Sequence, residues 1–130
     1  MGLSNRRPRI FILYENGPGV VMKHFPSIKK NEDFRKVYDT GNSRANHFLV
    51  MYIKENGRAA DRIGISVSGK TGNSVVRHHL TRLLRESFRL NPSETGKGYD
   101  LVIVVRQAAV GISYREIEKA YLDLRRRHGI

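Results

Sequence analysis

Lys70-Thr-Gly-Asn-Ser-Val-Val-Arg77-His-His-Leu-Thr-Arg82-Leu-Leu-Arg85-Glu-Ser-Phe-Arg89 reads as an amphipathic helix whose polar side is almost purely cationic. Val76, Leu80, Leu83, Leu84 and Ser87 fall on one side at helical spacing. His78, Arg82, Arg85 and Arg89 recur on the opposite side at i, i+4, i+7 and i+11. The apolar stripe seats such a helix on a core, and a guanidinium row then faces outward. The planar fork of arginine suits phosphate and stacks on bases. A merely solvated face mixes signs to gain i,i+4 pairs, and here only Glu86 interrupts the cations.

The rest of the chain has the same charge bias. Lys and Arg number 24 against 12 Asp and Glu in 130 residues, a formal net charge of +12. That self-repulsion makes most sense beside a polyanion. The length suits one domain, and 39% hydrophobic residues suffice for a modest core. Without cysteine there is no disulfide framework and no thiolate zinc site, which fits a reducing cytoplasm. The longest apolar run, Leu101 to Val105, is strand length, far below the roughly 18 residues of a membrane span. Residues 1–21, ending in Gly17-Pro18-Gly19 and two valines, read as a disordered extension or as translation from an upstream start. An added strand or a basic arm is the alternative. The domain proper is expected over 22–130.

Asn31 can cap a short helix, with Glu32 and Asp33 in its first turn, a Phe34, Val37, Tyr38 stripe, and Gly41 to end it. His47 to Lys54 reads as a strand, and Asn56-Gly57 as a turn signal within a loop from Glu55 to Asp61. Arg62 to Ser68 alternates Ile63, Ile65 and Val67 with Gly64 and Ser66, the pattern of a half-buried strand. Its small residues would let another backbone, or RNA, come close. The basic helix should end near Leu90, before Asn91-Pro92. Leu101 to Val105 suits an interior strand. Ser113 and Glu116 make a capping box for a last helix packing through Ile117, Ala120, Tyr121 and Leu124. Strands among helices in this order predict a single α+β sandwich.

No active site emerges. His78 and His79 point about 100° apart on a helix and cannot chelate one metal as an i,i+4 pair would. Gly69-Lys70-Thr71 lacks the earlier glycine of a phosphate loop. Asp33, Asp39, Asp61 and Asp100 are scattered, and in so basic a chain they suit caps and internal ion pairs. The residues therefore name no catalytic group and no metal ligand.

From Lys70 to Glu86 the pattern resembles the Arg-Asn-Arg signature of the bacterial ribonuclease P protein subunit. Ile28-Lys-Lys-Asn31-Glu-Asp-Phe34-Arg-Lys-Val-Tyr38 is similar to that family's first helix. Gly41 to Asn46 resembles the segment after it, and Ile63-Gly-Ile-Ser-Val-Ser68 the strand before the signature. The likeness spans about Met22 to Arg127. It implies a two-layer α+β sandwich in the order α-β-β(-β)-α-β-α. It also implies a left-handed β-α-β crossover, as in the ribosomal protein S5 domain 2-like fold, against the general rule. The activity implied is endonucleolytic removal of the 5′ leader from precursor tRNA. Catalysis would lie in the RNA subunit with its Mg²⁺, with no organic cofactor. The implied partners are ribonuclease P RNA and precursor tRNA, in a cytoplasmic 1:1 particle with a monomeric protein and no membrane.

Carried over by position, Lys70, Asn73, Arg77, His78, His79, Arg82, Arg85 and Arg89 would face the catalytic RNA. Lys30, Phe34, Tyr38 and Tyr52 would line a cleft for the single-stranded leader, where aromatic stacking tolerates any base. Core packing accounts for Phe34 and Tyr38 equally well. The usual Arg-Asn-Arg reads Arg77-His78-His79 here, and Thr81 stands where Lys is frequent. His79 in place of an arginine would make RNA affinity pH-sensitive, since imidazole gains its charge near neutrality. Three other readings compete: a general RNA-binding module such as a ribosomal protein or chaperone, a helix-turn-helix DNA binder, and a protein-only nuclease. The last two suffer from strands before Thr71 and from the absence of a tight carboxylate cluster.

Overall fold

The computed structural model describes residues 26–92 and 96–130. The expected extension over residues 1–21 therefore lies outside the described residues. Helix α1 spans Asn31–Thr40. Strands β1, β2 and β3 span Asn42–Ala45, Leu49–Glu55 and Arg62–Val67. Helix α2 spans Ser74–Leu90, β4 Tyr99–Val105 and α3 Tyr114–His128, the last preceded by a 3-10 turn at Gln107–Ala109. The sheet order is β1-β2-β4-β3. β2 pairs antiparallel with β1 and β4, while β3 and β4 run parallel, so α2 carries the crossover between two sheet neighbours. Outside β3 the chain adds one more rung: Ile28 N–H donates to Ile63 O at 2.9 Å and Ile63 N–H to Pro26 O at 2.9 Å.

The period-two alternation of the strands divides the core. Leu49, Met51, Ile53, Ile63, Ile65, Val67, Leu101, Ile103 and Val105 meet α2 and α3 on one face. Those helices and the sheet form the expected sandwich. Val50, Tyr52, Val102 and Val104 face the other way, where Ile28 and α1, through Phe34 and Val37, cover them. The last helix is capped as read, with both halves of the Ser113–Glu116 box made and Gly129 in the left-handed region at φ 77°.

Three local readings change. β3 is buried on both faces rather than half-buried, because Gly64 lies under the Phe34 ring, not beside RNA or another backbone. A Cβ on Gly64 would sit 2.5 Å from Phe34 Cε2. Lys30, not Asn31, is the N-cap of α1, and it makes no side-chain cap bond. Gly41 does end α1, but with an extended φ of −78°. What it provides is room: a Cβ there would meet Val37 O at 2.5 Å and Ile53 O at 2.8 Å. β1, whose residues are all exposed, has no alternating pattern that would announce it.

Gly64→Ala should cost about 1–3 kcal/mol through overpacking against Phe34. Thermal melting should then fall by at least about 4 °C, with partial recovery when Phe34→Leu is added. An unchanged melting temperature would show that the ring can step aside.

Candidate nucleic-acid interface

Asn73 starts α2, its side-chain oxygen accepting from Val76 N at 3.0 Å. That bond satisfies one orphan N–H of the first turn, so the side chain expected on RNA is half committed to the helix. Lys70 stands just before it with an exposed side chain, and its carbonyl accepts from Gln107 Nε2 at 3.1 Å. Leu80 and Leu84 are sunk in the core. Their burial fixes which residues of α2 face out.

The outward face is rotated from the one read off the sequence. His78, His79, Arg82 and Arg89 are exposed, with Val75 among them. Arg85 is only 8% exposed and Thr81 only 4%. Arg77, Thr81 and Arg85 follow one another at i, i+4 and i+8, a row that drifts about 40° around the helix per step. This row occupies the flank, where Thr81 Oγ1 donates to Arg77 O at 2.9 Å. Arg77 lies 3.4 Å, at Nη1, from where a Gly69 Cβ would stand. Arg85, placed in the outward row by sequence, is a buried flank residue instead. Arg89 remains on the face but is ion-paired with Glu86, which raises the guanidinium pKa further. Among the described residues Arg82, His78 and His79 make no ion pair, so Arg82 carries the fixed accessible charge of the face.

The four residues expected to line the cleft do not gather as one site. Phe34 is completely buried beneath Gly64 and is core, which excludes direct stacking on a base in this arrangement. Tyr38 is half-buried, with its ring 6.3 Å from Phe34 and 4.6 Å from Tyr52. Burial pushes the Tyr38 phenol up to about 12 and also raises that of Tyr52. Tyr52 keeps 9% exposure. Lys30 is exposed at the other end of α1, roughly 12 Å away along the axis at 1.5 Å per residue. Register places Ser43 opposite Tyr52 and Ala45 opposite Val50, so β1 extends this face past the tyrosines. The aromatics do not stand beside the basic helix. They lie on the reverse side of the sheet, because even-numbered strand residues face away from α2.

The scattered acids have structural partners. Arg62 forks onto Asp100, Nε–Oδ1 2.9 Å and Nη2–Oδ2 2.6 Å, and reaches Asp33 at 3.4 Å. Asp100, and after it Asp33, raise the Arg62 pKa. Asp61 accepts from Tyr99 N at 2.8 Å. Among the described residues no three His, Asp or Glu side chains come together to hold a metal, and no helix is long and apolar enough to cross a membrane.

Fold and surface together define a basic α+β RNA-binding domain. The family model for ribonuclease P matches residues 22–129. The ribonuclease P protein component of Alkaliphilus oremlandii is 50% identical over 103 residues, covering 79% of this chain and 90% of that one. That of Lachnoclostridium phytofermentans is 49% identical, covering 80% and 90%. A solved Staphylococcus aureus RNase P protein mutant superposes with a TM-score of 0.74 at 34% identity, covering 80% and 88%. The chain belongs to the ribonuclease P protein family. It is thereby placed among the protein subunits of an endoribonuclease complex of tRNA processing, in partnership with ribonuclease P RNA.

Arg82→Ala should weaken RNA binding and lower its salt slope by about one, at unchanged melting temperature. Arg85→Ala should do the reverse, lowering the melting temperature first. Equal melting of Arg85→Ala and parent would contradict a structural role for that guanidinium. His79→Arg should tighten RNA binding at matched salt, because a permanent guanidinium then stands on the exposed face. Equal affinity of this variant and the parent would remove position 79 from the contact.

Proposed function

We propose that this chain grips the catalytic RNA of ribonuclease P with the outward face of α2. The single-stranded 5′ leader of precursor tRNA would then be received along the reverse face, past Tyr38, Tyr52 and β1. The observation that carries this reading is the separation of the two surfaces. A cationic helix face and an aromatic-edged strip lie on opposite sides of one four-stranded sheet, so two RNA segments can be held at once. The half-buried Tyr38 beside Tyr52 would suit leaders of any sequence, because each stacked base contributes about 1–3 kcal/mol whatever its identity. Lys30, at the far end of α1, would meet leader phosphates rather than the tyrosine-bound base.

Hydrolysis of the phosphodiester is assigned to the RNA subunit. Asp100 and Asp33 are held by Arg62 and Asp61 by a backbone N–H, and among the described residues no three His, Asp or Glu side chains are grouped for metal-assisted chemistry. Mg²⁺ would be held by RNA phosphates and would activate water there. The protein contributes charge neutralisation and alignment of leader and cleavage site. We assign it to the cytoplasm, as one protein per RNA.

Reconstitution tests the reading. The chain is mixed with a bacterial ribonuclease P RNA and end-labelled precursor tRNA at low Mg²⁺, where the RNA alone cleaves poorly. Stimulated cleavage at the mature 5′ end, reduced by Arg82→Ala, is the expected result. Tyr52→Ala should weaken precursor binding without changing that of mature tRNA. Tight RNA binding with no stimulation would make the chain a general RNA-binding module. Cleavage without the RNA subunit would overturn the assignment of catalysis.

A further inference from the structure

Glu55-Asn56-Gly57 ends β2 and opens the turn toward β3, and asparagine before glycine is the pair that loses its side-chain amide most readily. Glycine puts no Cβ beside its own N–H, so that nitrogen can reach the asparagine Cγ. Gly57 is exposed and in the left-handed region at φ 69°, as turns of this type require.

The Asn56 side chain is held at both ends. Its Oδ1 accepts from Arg58 N at 2.8 Å. Its Nδ2 donates to Ala60 O at 3.0 Å and to Asp100 Oδ1 at 3.0 Å. The backbone closes the same turn against the residue before β4: Asn56 N–H donates to Gly98 O at 3.1 Å, and Gly98 N–H to Arg58 O at 3.0 Å. A Cβ on Gly98 would stand 2.5 Å from Asn56 Oδ1, so the turn wraps that glycine without slack. Ring closure by Gly57 N needs the side chain released from these bonds first.

The same geometry rejects the product. An aspartate at position 56 has two oxygens and no N–H. It would face the Ala60 carbonyl and the Asp100 carboxylate where the amide now donates. Asp100 is only 6% exposed, and with Asp33 it already shares the one guanidinium of Arg62. A third carboxylate would bring no cation of its own. Lys97 is paired with Glu55 at 3.4 Å, and Arg58 meets position 56 through its backbone N–H. Like charges at this spacing repel, and a part-buried acceptor deprived of its donor is costly.

We propose that Asn56 is a deamidation site, gated by opening of the 56–61 turn, and that its conversion prevents the turn from closing again on Asp100. Gly57 N attacks Asn56 Cγ, the Gly57 N–H proton leaves with Nδ2 as ammonia, and a succinimide ring remains. Water then opens the ring at either carbonyl, giving aspartate or isoaspartate. The latter also lengthens the backbone where Gly98 leaves no room.

The test holds the full chain in mildly alkaline buffer, native or unfolded in urea, and follows the Asn56 peptide by mass spectrometry. Glu15-Asn16-Gly17 repeats the tripeptide and supplies the intrinsic rate in urea. Native Asn56 should convert at least about tenfold more slowly than in urea, because local opening must precede attack. Equal rates would overturn the gate, and no native conversion at all would overturn the site. Asn56→Asp, made directly, should lower the melting temperature by about 4 °C or more. In an Asp100→Asn background the same change should cost little, since carboxylate and amide have then exchanged places. An equal cost in both backgrounds, or none in either, would overturn the clash with Asp100.

Discussion

Burial of β4 on both faces is the constraint from which the rest of the arrangement follows. Leu101 to Val105 are at most 8% exposed, so every second side chain demands cover above the sheet and every other one below. Two helices answer on one side and α1 on the other. β4 also has a sequence neighbour, α2, which must leave β3 and return to a parallel position beside it. The helix that spans this crossover is pinned by Leu80 and Leu84 to the first face, and its cations are left outside. An interior strand that needs two covers thus creates both the cationic and the aromatic face and separates them by the thickness of a sheet.

The end of β4 is held by polar contacts instead. Asp100 is 6% exposed, and it takes both arms of Arg62 and a bond from Asn56 Nδ2 at 3.0 Å. Arg62 reaches on to Asp33 in the first turn of α1. A buried charge left without its partner typically costs about 3–5 kcal/mol, so this cluster fixes α1 over the sheet more by the penalty of breaking it than by its net attraction. The orientation of Tyr38 over Tyr52 depends on that anchoring at the opposite end of α1.

Elements with strong periodicity were legible in the sequence, and those without were not. The stripe of α2, the apolar run of β4 and the capping box of α3 each carry their own signal, and all three stand in the structure. β1, Asn-Ser-Arg-Ala, has no apolar alternation because it sits at the sheet's edge with all residues exposed, and only its pairing to β2 defines it. The rotation of α2 was hidden for a different reason. Helical spacing tells which residues share a face, not where a flank is covered, so Arg85 looked equivalent to Arg82. Phe34 was ambiguous between core and cleft until Gly64, thirty residues later, proved to be the surface it rests on.

The count of 24 Lys and Arg overstates the cations that RNA can reach. Arg62, Arg89, Arg126 and Arg127 are ion-paired to carboxylates, and Arg125 is buried against the Tyr121 ring with a bond to Asn91 O. These cations lock the sheet and the helix ends. On the outward face of α2 the fixed charge left for phosphate is chiefly that of Arg82. With Arg85 turned to the flank and Arg89 held by Glu86, that face offers few fixed charges rather than a long arginine row. Such a face should bind RNA with a shallower salt dependence than the composition implies, because fewer phosphates are neutralised.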